Sequence, residues 1–178
     1  MKKLYSIFAL ICVFSLSSCA ISIGNSKSKE TPPTPPNTQQ GAGFFLPDPG
    51  EKFVVGTDKS TKLWKTYIDA HNNRDLESLL LMESDSILIV GPTGDRISGK
   101  AQHKQALSAW FAAEDPKWNM YWAMPYKGVS GGDEWIIAGH EVTTTVQGKE
   151  VKQNHMIDAK ISKDGKVELF YVYSMDIP

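Results

Sequence analysis

Two histidines, a tyrosine and two tryptophans are the residues of this chain whose types and spacing could do chemistry. His140 lies in "EWIIAGHEVTTTV" and His155 in "EVKQNHMIDAKI". Alternate residues of a strand share a face. His140 therefore groups with Ile136, Ala138 and Val142, and His155 with Gln153, Ile157, Ala159 and Ile161, so both rings are predicted to point into the core. A tight turn about Gly148 joins the runs. The two histidines are eight and seven residues from it, which places them opposite or diagonal to each other. Tyr67 belongs to a helical stripe with Leu63, Trp64, Ile68 and His71, spaced three and four apart.

Two inward histidines allow three readings. They can be neutral core rings held by hydrogen bonds, polar contacts for a ligand in an otherwise apolar site, or acid–base or metal groups, because histidine titrates near neutral pH. A metal normally wants a third protein ligand. Glu141 has the wrong parity for that and no fixed spacing supports His71, so neither a metal nor another cofactor is expected. Tryptophans often line small-molecule pockets, offering area and one polar handle. Of Trp64, Trp110, Trp118, Trp122 and Trp135, the two helical ones, Trp64 and Trp110, are the expected pocket residues.

The elements that must position these groups follow from periodicity. Ser60 to Asn72 is predicted to be a helix. "NNRD" is a turn, and Asp75 can cap a second helix carrying Leu76, Leu79, Leu80 and Met82. "SILIV" is a buried strand and "GPTGDRISG" a loop. Ser98 can cap a third helix over about 100–113, with Ala106, Leu107, Trp110 and Phe111, which Pro116 stops. Four strands follow: "KWNMYWAMPY", the two histidine runs, and "VELFYVYSMD" after the turn "SKDGK". Helices first and antiparallel strands afterwards argue for α+β, with helices on one face of a curved sheet.

The 178 residues are 41% hydrophobic and 22% charged, which suits one packed domain and a tail. The tail comes first. "MKKLYSIFALICVFSLSSC" has a basic start and an apolar run shorter than the ~20 residues needed to span a bilayer, the layout of a signal peptide. "LSSC" resembles the bacterial lipobox. That resemblance implies cleavage after residue 18 and acylation of Cys19, by palmitate or similar chains, which anchor stably when there are two or more. Residues 19–43 then form a disordered tether rich in Pro and Ser, spanning roughly 25 Å as a coil. Residues 44–178 form the domain, with "FFLPDPGEKFVVGT" either an arm or a lid. Location in the cell envelope is expected, with alanine after Cys19 favouring an outer membrane where one exists. Without Lys2 and Lys3, 17 basic groups of the 19 face 20 acidic ones, a net −3, so nucleic acid is not an expected partner. The only cysteines are Cys12 and Cys19, so the domain has neither disulfide nor thiolate metal site.

The segments "YIDAHNNRDLESLL", "GPTGDRISGK", "TVQGKEV" and "SKDGKVELFYVY", in this order and spacing, resemble the nuclear transport factor 2-like (NTF2-like) superfamily. The nearest general type is its SnoaL-like branch, which includes the ketosteroid isomerases. The resemblance covers about 60–178. It implies a cone of three helices on a curved four-stranded antiparallel sheet, an apolar pocket at the open end, and pairing of two copies through the outer sheet face. Tyr67 falls on the isomerases' oxyanion-binding tyrosine. Their carboxylate base falls on Gly91 and their protonated second acid on Ile157 (ketosteroid isomerase is also a standard illustration of this pKa tuning). Asp158, beside Ile157, faces the other way. Steroid isomerisation is therefore not expected.

Three function classes remain. The first is a tethered binding domain, its cone holding a small apolar or amphipathic ligand or docking an envelope partner. The alternative is an isomerase, lyase or hydrolase of the SnoaL-like type, using His140 or His155 as acid/base and Tyr67 as hydrogen-bond donor. No inward carboxylate is expected. A purely structural role as a dimerisation unit is the third class.

Overall fold

The computed structural model describes residues 40–45 and 47–177. The signal peptide, Cys19 and nearly all of the tether lie outside those residues. Ten elements follow in order: β1 (Phe53–Val55), α1 (Asp58–Asn72), α2 (Leu76–Leu81), β2 (Glu83–Val90), β3 (Arg96–Ser98), α3 (Lys100–Glu114), β4 (Lys117–Gly128), β5 (Glu134–Val146), β6 (Lys149–Ile161) and β7 (Val167–Asp176).

Helix α1 buries its stripe, with Trp64, Tyr67, Ile68 and His71 each at most 4% exposed. Its N-terminus is capped from a distance. Thr57 makes no side-chain cap, and the Glu134 carboxylate accepts from the Thr57 N–H and hydroxyl instead, an acid where the helix dipole favours one. Asp75 caps α2 by accepting from the Ser78 N–H at 3.0 Å. The cap of α3 differs from expectation. Gly99, at φ 81°, takes the position, and the Ser98 N–H donates to Gln102 Oε1 at 2.7 Å. A conformation that glycine reaches freely displaces the serine from the cap.

The sheet has seven strands rather than four, in the order β1-β4-β5-β6-β7-β2-β3. The predicted meander β4–β7 is its antiparallel centre. Three strands are additions. β2 joins β7 in parallel, which corrects the purely antiparallel expectation, and β3 pairs with β2 inside the stretch predicted as loop. β1 extends the other edge, with Phe53 opposite Gly128, so the described residues of the 44–57 segment form an edge arm and line no part of the cavity described below. The sheet is curved and unclosed, and the class remains α+β with the cone of the NTF2-like fold.

At the β5–β6 hairpin, Gln147 (φ 52°) and Gly148 (φ 75°) make a two-residue turn with both φ values positive, matching strand twist. This turn sets His140 directly opposite His155. The core lies between the helices and the inner sheet face, where Ile136, Ala138, Ile157 and Ala159 are almost wholly buried.

Candidate functional site

An apolar cavity of about 560 Å³ opens between α1, α3 and the inner face of the sheet. Helix α3 lines it with His103, Ala106, Leu107, Trp110 and Glu114. Trp64, Tyr67, Trp110 and His155 line it as well, whereas His140 does not.

His140 is inward and fully buried, as strand parity requires, but it sits behind the wall. The indole N–H of Trp64 donates to its Nε2 at 3.1 Å, and its Nδ1 lies 3.4 Å from the His155 carbonyl oxygen. Burial lowers its pKa to about 4, so the ring is neutral near pH 7. The expectation that both histidines face one cavity is corrected here. Trp64 is large enough to cover the ring and carries the donor that satisfies it.

His155 does reach the cavity. The amide nitrogen of Gln153 donates to Asp176 at 2.8 Å, which turns the Gln153 oxygen toward His155 Nε2, 3.1 Å away. Burial lowers this ring also to about 4. Trp118 stands edge-on to His71, His140 and His155, at centroid distances of 5.2, 5.2 and 5.3 Å. His71 is pushed to about 3, first by burial and then by nearby Arg74. Three neutral rings thus surround one indole, and the indole N–H and the Nδ1 atoms of His71 and His155 have no hydrogen-bond partner among the described residues.

Tyr67 stacks on Trp64 at 5.1 Å, and its hydroxyl donates to Glu83 Oε1 at 2.6 Å. Burial raises its pKa well above the usual phenol value, and the Glu83 charge and hydrogen bond add to this. The hydroxyl is therefore engaged inside the protein, which corrects its expected part as a free donor to a ligand. The same Glu83 oxygen lies 2.6 Å from His103 Nδ1. Glu83 is 1% exposed and His103 4%, so Tyr67, Glu83 and His103 form a buried network in which only the tyrosine and the histidine touch the cavity.

Sequence reasoning missed Glu83 and His103. For His103 a signal existed, since His103, Leu107 and Trp110 recur at the spacing of one helix face. For Glu83 there was none. It precedes an apolar run, and its burial follows from the parallel β2–β7 pairing that sets Glu83 opposite Val167. Carboxylates at the cavity were missed as well. Glu114 and Asp95 line it, the first accepting from the Trp110 N–H at 2.8 Å. Asp95 folds over Gly91, where an added Cβ would meet its Oδ1 at 2.5 Å. Asp158 lies on the outer face, half-buried, and accepts from the Tyr126 hydroxyl at 2.8 Å.

No family model matches the chain, and no curated protein matches it. Solved structures do. An LEH-like epoxide hydrolase from Mycobacterium tuberculosis superposes with a TM-score of 0.57 and 13% identity, over 67% of this chain and 84% of that one. Rv0760c from M. tuberculosis, solved with estradiol-17beta-hemisuccinate, gives 0.56 and 17%, over 65% and 92%. SalBIII, described as an epoxide hydrolase/cyclase-like enzyme of pyran ring formation in salinomycin, gives 0.55 and 16%, over 66% and 92%. At such identities the likeness is one of architecture, and the architecture this chain shares with them is the NTF2-like fold.

Proposed function

We propose that this protein is a membrane-anchored lipoprotein of the cell envelope whose cavity binds a small, uncharged, largely apolar molecule. One observation carries the binding reading: a concave apolar cavity of about 560 Å³ walled by aromatic side chains, within the size range of small-molecule sites. The wall donors of Trp64, Trp110 and Tyr67 are satisfied internally, so the walls hold their shape without a ligand. No lysine or arginine lines the cavity among the described residues, while Asp95 and Glu114 do, which disfavours anions. The neighbour solved with estradiol-17beta-hemisuccinate is a precedent for a molecule with a large apolar body in this fold, although that one also carries a free carboxyl group. Native mass spectrometry of the gently purified full chain tests the reading. A co-purifying small molecule, displaced by denaturation, is expected. A homogeneous mass equal to the bare lipidated chain, together with no binding of added apolar probes, would contradict it.

Anchoring rests on the sequence: a basic start, an apolar run and the lipobox-like "LSSC" that follows them. Self-association is part of the same proposal. Trp122, Gly139, Met156 and Tyr173 form one row across β4, β5, β6 and β7 on the outer sheet face. Trp122, Met156 and Tyr173 are 39%, 44% and 58% exposed, an apolar row suited to a second copy.

A second reading, catalysis of proton transfer, is favoured by the Glu83–His103 pair. A carboxylate that holds Nδ1 orients the ring and leaves Nε2 as the nitrogen that can exchange a proton. In this reading His103 takes the acid/base role expected of His140 or His155.

A further inference from the structure

We propose that His103 recognises the hydroxyl group of an aromatic ligand in this cavity, its Nε2 accepting the hydroxyl hydrogen. The inference rests on the reading of the cavity as a ligand site and deepens it.

Glu83 Oε1 has two neighbours. Tyr67 donates to it at 2.6 Å, and His103 Nδ1 lies 2.6 Å away on the other side. A carboxylate oxygen offers lone pairs only, so the hydrogen between it and the ring is on Nδ1. A neutral imidazole with its hydrogen on Nδ1 presents a lone pair at Nε2. That atom has no partner among the described residues. It is also absent from the set of polar atoms sealed without a partner, which includes Nδ1 of His71 and of His155. Nε2 is therefore the ring atom reached from the cavity that His103 lines.

The surroundings choose the ligand group. The Trp64, Tyr67 and Trp110 donors are already engaged, so none of them competes for Nε2. A carboxylate ligand would face Asp95 and Glu114, with Glu83 behind Tyr67 and His103, and no lysine or arginine on the wall among the described residues. A neutral O–H donor remains. The walls of Trp64, Tyr67, Trp110 and Phe170 suit a flat ring, and a phenolic O–H, more acidic than an alcohol, makes the stronger bond to a basic nitrogen.

The test compares para-hexylphenol with its methyl ether, para-hexylanisole, which keeps the ring and the chain, carries one more methyl group and has no donor. Affinities are read from the intrinsic tryptophan fluorescence of the full chain. The phenol is expected to bind roughly tenfold more tightly, the effect of one hydrogen bond of ordinary strength. In His103→Phe the two compounds should bind alike. Equal affinities in the wild type would overturn the inference and leave the cavity as a ligand site. Binding of neither compound would overturn both. Should His103→Phe not fold, the wild type still decides. With isotope-labelled histidine, Nε2 of His103 should give the signal of an unprotonated nitrogen that moves on adding the phenol and not the ether. A protonated Nε2 would overturn the inference.

Discussion

At the scale of single residues, the four histidines are the most informative groups in the chain, because all four are buried. His140 and His155 titrate in the folded protein at about 4, and His71 at about 3, against an ordinary 6.5. Burial is the leading cause each time, since a charged ring would lose its hydration. The sign follows directly. Between about pH 6.5 and 4 the unfolded chain binds protons that the folded chain refuses, so stability is complete above that window and falls as pH drops through it. Each ring contributes up to about 1.4 kcal/mol per pH unit there. Urea unfolding at neutral pH and at about pH 5 should show a clear loss of stability, and an unchanged midpoint would mean that the rings are hydrated. Tyr67 gives a second test. Tyr67→Phe keeps the stacking on Trp64 and removes one donor from a buried carboxylate that already has one oxygen without a partner. A cost of about 1–3 kcal/mol is expected in the same assay.

At the scale of elements, the turns, the strand faces and the β4–β7 meander were legible, and the partners of β1, β2 and β3 were not. Alternation identified the inward residues of β5 and β6 because only one face of that sheet is buried. It carried no information on partners, so the parallel union of β2 with β7 and the short β3 were unreadable, and with them the burial of Glu83. Ser98 failed as a cap because Gly99 follows it. Likewise parity put His140 inward correctly, yet could not say that Trp64 stands between it and the cavity. Gly148 offers a clean test at this scale. No atom lies within 4 Å of a Cβ added there, so the cost of a side chain is the positive φ of 75° alone. Gly148→Val should destabilise the domain by about 1–2 kcal/mol without moving the cavity. Gly139→Ala is a contrasting case, because the added methyl collides with the Trp122 ring lying across it. That substitution should disturb the outer face and leave the hairpin intact.

At the scale of the whole molecule, the proposed lipid anchor and spacer precede a domain with an apolar cavity. Cys19→Ser should release the domain from the membrane fraction or leave the precursor uncleaved, and a variant that fractionates and migrates like the parent would refute the anchor. Self-association through the outer face predicts that Tyr173→Glu, which puts a charge into the exposed row, lowers the mass seen by light scattering while the circular dichroism is unchanged. The central claim is that the cavity between α1, α3 and the sheet takes up a small apolar molecule. Ala106 lines that cavity from α3, and Ala106→Phe would fill part of it with no new charge. The most direct measurement is a titration of the full chain and of Ala106→Phe with para-hexylphenol, followed by tryptophan fluorescence, with the unfolding midpoint of each determined alongside. Saturable binding by the wild type, weakened at least about tenfold in a variant that unfolds at a similar midpoint, is the expected result. Absence of saturable binding, or equal binding by both proteins, would contradict the claim.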